Sequence, residues 1–184
     1  LRIVSHRLSV GAGYDAVNFA LLGRPATPLV AANTFARAPE ELVEAWNATQ
    51  RENTQLHPAR ELLERTRRPI VFDDPWNDDR ILPEQRALLK AATLKSAIAV
   101  PMLWENQLIG ILAVASKRER AFGPRDAQFL LAVATQVTAI VRMATLVEQL
   151  QSASARLEQS QADAVLMLAA AAEARDQVTG LHLQ

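Results

Sequence analysis

The chain has 184 residues, about half of them apolar, with 20 Lys and Arg against 20 Asp and Glu. That is one domain of ordinary size plus an appendage, with enough apolar residues for a real core. The balanced charge gives no electrostatic basis for gripping nucleic acid or anionic lipid. There is no cysteine, which removes disulfides, thiolate metal sites, thiol nucleophiles and thiol redox switches together.

Residues 1–10 carry Leu1, Val4 and Leu8 at helical spacing, and Gly11 and Gly13 break that pattern. Tyr14 to Leu22 and Pro28 to Phe35 are expected as strands of a hairpin. Pro39-Glu40-Glu41 opens a helix, since proline suits the first helical position and acids suit the positive end of the dipole. Leu42, Val43 and Trp46 form its apolar face, and Pro58 opens another helix carrying Leu62 and Leu63. Pro69 to Phe72 is a short strand, Asp73 to Asp79 a polar loop, and Pro83 the start of a third short helix.

Ala97 to Leu103 alternates, with Ile98, Val100 and Met102 on one side. Glu105-Asn106 is a turn, and Leu108 to Ala115 is apolar on both faces, as a central covered strand should be. From Arg125 to Thr179 there is neither glycine nor proline. About 50 helical residues at ~1.5 Å each reach ~75 Å, so this helix is expected to leave the globule. Met143, Leu150, Leu157, Ala164 and Ala171 recur every seven residues, and Leu146, Ala153, Ser160, Met167 and Ala174 follow offset by three. That is a heptad pattern, and its small residues predict a close-packed, easily shifted dimeric coiled coil. No apolar run reaches the roughly 20 residues of a membrane span, so membrane insertion is not expected. Leu1 and Gln184 suggest an excised fragment, placed in the cytoplasm.

Three motifs stand in order: Ser96 to Met102 with its Val100-Pro101, then Leu108-Ile109-Gly110-Ile111-Leu112, then Phe122-Gly123-Pro124-Arg125-Asp126 opening the last helix. Together with the strand Pro69 to Phe72, they resemble GAF domains over roughly residues 1–147. The resemblance implies an α+β fold: an antiparallel sheet of five or six strands flanked by helices, with a long C-terminal helix. It also implies a regulatory sensing role. GAF domains bind many different ligands or none known, so the ligand and cofactor are unknown. The spaced signature of cyclic-nucleotide-binding members is missing, and bilin attachment or sulfoxide reduction would need cysteine.

At the far end, Ala172 to Asp176 and Thr179-Gly180-Leu181-His182 resemble the opening of an HD-GYP domain, a metal-dependent phosphodiesterase acting on cyclic di-GMP. In that reading His182 would help hold the catalytic metals. The run Asp176 to Leu181 also resembles the start of a GGDEF diguanylate cyclase. The expected organisation is a sensory domain over 1–147, a helical coiled-coil linker over 148–171 and a truncated output domain over 172–184. The fragment itself is not expected to catalyse.

Within the sensory domain, Trp76 could stack on a flat ligand while Asp74 or Arg80 pairs its polar edge. A tryptophan that simply closes the core is the competing reading. Asn18 and Asn33 interrupt apolar strands and need partners if buried. Phe35, Trp46 and Ile98 complete the candidate set. The histidines His6, His57 and His182 show no ligand spacing, and the Asp73, Asp74, Asp78, Asp79 loop matches no calcium loop. Three functions compete: a ligand-gated switch acting on a covalently linked output domain, a ligand-free module that only pairs two chains, and an enzyme. The expected partner is a second copy, in a parallel homodimer through the terminal helices.

Overall fold

The computed structural model of the protein describes residues 1–22, 31–36, 39–52 and 58–181, with the backbone alone described for Arg2, 31–36, 50–52 and 169–181. The elements run α1 (Arg2–Gly11), β1 (Ala16–Leu21), β2 (Ala31–Ala36), α2 (Glu40–Glu52), α3 (Pro58–Thr66) and β3 (Ile70–Phe72). Then follow α4 (Pro83–Ala91), β4 (Ser96–Trp104), β5 (Gln107–Ser116) and α5 (Pro124–Leu181). Five strands form one antiparallel sheet in the order β2-β1-β5-β4-β3. This is the α+β fold that the sequence implied. Pro28 to Val30, expected as strand, and His57 and His182 lie outside the described residues.

The register assigns the two faces of the sheet. Asn18 pairs with Ala113, which pairs with Ala99, which pairs with Ile70. Cross-strand partners share a face, so Asn18, Ala97, Ala99, Ala115, Ile70 and Phe72 lie on one side. This alanine-rich side is covered by α3 and α4: Ala59, Leu63, Ile81, Leu89 and Leu94 are buried against it. Alternation sends Val17, Phe19, Ile98, Val100, Leu112 and Val114 to the other side, where all are fully buried. The first turns of α5, through buried Leu130, Ala134 and Val137, and α1, through buried Leu8, supply that cover. Both faces are therefore closed, which is why β5 reads as apolar throughout.

Local chemistry explains the ends of several elements. At the start of α5 the Asp126 carboxylate accepts a 2.9 Å bond from the Gly123 amide. With Pro124 at the first helical position, this is one half of a capping box. The β4–β5 turn holds Glu105 at φ 46° and Asn106 at φ 67°, the left-handed pair of a two-residue hairpin.

The chain divides into two compact units, Leu1–Ile140 and Val141–Gln184. Helix α5 contributes its first turns to the one and the rest to the other. An 18-residue stretch within Pro124–Leu168 reaches a mean hydropathy of 1.8, long and apolar enough by composition to cross a membrane. The helix holds no unbroken apolar run of that length, because Thr135, Gln136, Thr138 and Arg142 interrupt it. The apolar content has a local cause in the first unit, where Leu130, Ala134 and Val137 are core residues.

Candidate functional site

The loop between β3 and α4 brings Asp74, Trp76 and Arg80 together, and most of their polar groups bond within the chain. The Asp74 carboxylate accepts from the Trp76 amide at 3.3 Å and from the Asn77 side-chain amide at 2.7 Å, a side-chain turn that shapes the loop. The Trp76 ring packs against the alanine-rich core, and its indole N–H donates to the Leu94 carbonyl at 2.6 Å.

Arg80 is held on three sides. Its guanidinium makes a forked pair with Asp78, at 2.8 and 2.5 Å, and donates to the Val71 carbonyl at 3.3 Å. It also lies 4.8 Å from the centre of the Phe72 ring, within cation–π range. The guanidinium hydrogen bond holds the Asp78 carboxyl below its ordinary pKa, more than burial opposes it, and the same pair raises the pKa of Arg80.

Trp46, on α2, packs against the same core as Trp76. Its indole nitrogen is buried and finds no acceptor among the described residues. Two tryptophans thus sit over one alanine-rich sheet face, one with its N–H satisfied and the other with no acceptor among the described residues. Asn18 is buried on this face and has a bonding partner.

The other candidates stand elsewhere. Ile98 is fully buried on the opposite face, because it alternates with Ala97 and Ala99. Asn33 pairs with Phe19 and Phe35 with Val17. Those are positions of Ile98's face, away from Asn18. The side chains of Asn33 and Phe35 lie outside the described residues. The structure therefore gathers Asn18, Trp46, Asp74, Trp76 and Arg80 on one side of the sheet and separates Ile98. Sequence reasoning placed Asp78 only within a solvated loop. Its spacing of two from Arg80 was the available signal for the ion pair.

On the other face, α1 and α5 border an apolar groove of about 440 Å³ lined by Ile3, Leu8, Phe129, Val133, Val137 and Ile140 among others. Among the described residues no group of acidic and histidine side chains is arranged to hold a metal ion.

No curated protein matches this sequence, but solved structures share its fold. A GAF domain/HD domain protein from Geobacter sulfurreducens superposes with a TM-score of 0.65 at 19% identity, covering 78% of this chain and 91% of that one. The GAF domain of a phosphoenolpyruvate-protein phosphotransferase from Coxiella burnetii gives 0.62 at 17% identity, covering 79% and 82%. A GAF domain from Synechocystis in its photoproduct state gives 0.61 at 18%, covering 82% and 96%. At these identities the likeness carries the fold alone. The GAF domain family model matches residues 11–141, most of the chain and nearly all of its first compact unit, so the chain belongs to the GAF domain family, a family of sensory regulatory modules in signalling proteins.

Proposed function

We propose that this domain is a cytoplasmic ligand-sensing module. In this reading a small molecule binds over the alanine-rich face between Trp46 and Trp76, and α5 passes the change to a covalently linked output domain. The observation that carries it is the buried indole N–H of Trp46, which has no acceptor among the described residues. Leaving such a donor without an acceptor costs about 1–3 kcal/mol, and a ligand acceptor would recover that cost. The ligand class is a flat molecule with an acceptor at its edge, stacked on an indole.

The proposed output is a cyclic di-GMP phosphodiesterase of HD-GYP type. Support comes from the run Ala172-Glu173-Ala174-Arg175-Asp176 and from Thr179 to His182. The pairing of a GAF domain with an HD domain in the Geobacter protein agrees with it. A GGDEF cyclase is the alternative output. The proposed assembly is a parallel homodimer through the terminal helices, because Leu150, Leu157 and Met167 are exposed at heptad spacing.

A second reading, a ligand-free module that only pairs two chains, is favoured by one observation. The polar groups of Trp76 and Arg80 are already bonded within the chain. Native mass spectrometry of the purified chain, then denaturing extraction, separates the two. A dimer carrying a stoichiometric small molecule, with occupancy falling in Trp46→Phe, supports the sensor. A bare dimer, with Trp46→Phe as stable as the parent or more so, supports the ligand-free module.

A further inference from the structure

The helical cover over the alanine-rich face is uneven. On β5, the central strand, Leu112 and Val114 of the opposite face are fully buried, whereas Ile111 and Ala113 of this face stay partly open. Helix α2 rests chiefly on β2 and α4, and α3 on β5 and β4. Between β2 and β5 runs β1, which places Ala16 and Ala20 on this face, with Ala113 and Ala115 beside them on β5. Side chains of a single carbon fill little of the layer above a sheet. What they leave must be filled by the helices or by a bound molecule.

Two buried nitrogens on the covering helices have no acceptor among the described residues: the indole N–H of Trp46 on α2 and the Nε of Arg60 on α3. Trp46 packs against the core under these helices, and Arg60 follows Ala59, a member of that core. The Ala59 amide donates to the Arg80 carbonyl at 3.1 Å, which fixes the start of α3 beside the Trp76 loop. A guanidinium N–H withdrawn from water needs an acceptor more than a neutral donor does, and a charged acceptor suits it best. The acids of the adjoining loop are engaged elsewhere, Asp78 with Arg80 and Asp74 with the Trp76 amide and Asn77. Arg60 takes part in none of the ion pairs among the described residues.

We propose that the ligand of this face is a flat monocarboxylic acid lying over Ala113, with Arg60 and Trp46 donating to its carboxylate. The inference rests on the sensing reading above and adds the ligand's charge and a second residue that holds it. One guanidinium without a counter-charge matches one negative charge. Its Nε–H and the indole N–H supply one donor for each carboxylate oxygen. A phosphate monoester brings about two charges and three acceptor oxygens, more than an alanine floor and two donors satisfy. A neutral ligand leaves the guanidinium without its counter-charge.

Benzoate and benzamide share a ring and nearly a shape but differ in charge, so they probe the site as a pair. Each is titrated by isothermal calorimetry into the purified 184-residue chain, as the parent, Arg60→Gln and Trp46→Phe. Benzoate is expected to bind the parent at least about tenfold more tightly than benzamide. Arg60→Gln keeps a side-chain N–H donor and loses the charge. It should erase that preference, while its Tm without ligand equals the parent's. Trp46→Phe should weaken both probes. Equal affinities for the two probes, a preference that survives Arg60→Gln, or a lowered ligand-free Tm in Arg60→Gln overturns the acid ligand. In those cases, binding that Trp46→Phe weakens leaves the sensing site standing. Binding of neither probe overturns the acid ligand, and a chain that also carries nothing in native mass spectrometry overturns the sensing reading with it.

Discussion

The indole N–H of Trp76 and the carbonyl of Leu94 meet at 2.6 Å, tying the loop after β3 to the residue just ahead of β4. Trp76→Phe removes the donor and leaves a carbonyl at buried Leu94 without that partner. The expected loss is about 1–3 kcal/mol of unfolding free energy, measurable by urea denaturation. An unchanged midpoint would mean that the ring is not anchored by this bond and is free to serve a ligand.

Gly110 lies where β5 crosses β1. A Cβ built there would come within 2.8 Å of the Ala20 carbonyl oxygen and 3.1 Å of the Met102 sulfur. The backbone oxygen is held in the sheet by the β1–β5 pairing and cannot give way cheaply. Gly110→Ala is therefore expected to destabilise the domain by about 1–3 kcal/mol, read as a lowered Tm. A Tm equal to the parent's would show that the strands separate at this point without cost.

Asp78 provides a pH signature. Its folded pKa lies below the ordinary carboxylate value, first because of the Arg80 hydrogen bond. A depressed pKa adds stability above the unfolded-state value, and that stability is lost as pH falls through the folded value. Urea midpoints should therefore decline below about pH 4, and Asp78→Asn should flatten the decline. Equal acid slopes for parent and variant would remove Asp78 from the account.

The β4–β5 turn is suboptimal. Glu105 and Asn106 both adopt positive φ, a conformation that costs a residue with a long side chain more than it costs asparagine or glycine. Glu105→Asn combined with Asn106→Gly should stabilise the hairpin by about 0.5–1 kcal/mol. A thermal scan that shows no gain would point to a compensating contact of Glu105.

Much of the fold was legible in the residues because the signals are local. Pro39, Pro58, Pro83 and Pro124 each mark a helix start, Glu105-Asn106 marks a turn, and alternation through Ile98, Val100 and Met102 marks a strand. Each depends on neighbours within a few positions. The three ordered motifs from Ser96 to Asp126 carried the family because they encode the central hairpin and the capped entry to α5.

The candidate site was only partly legible, since its grouping depends on register. Trp76 and Arg80 share a loop, and spacing alone could join them. That Asn18 lies on their face while Ile98 lies on the other follows from the pairing of β1 with β5, which joins segments as far apart as Ala16 and Ala115, and from the β4–β5 hairpin. A shift of one residue in that pairing would exchange the faces. The sequence by itself determined the elements, the family and the heptad spacing of α5. Only the tertiary structure decided which side chains share a sheet face, that Trp76 and Arg80 bond inward, and that the Trp46 donor finds no acceptor among the described residues, because burial and hydrogen bonding are relations between distant segments.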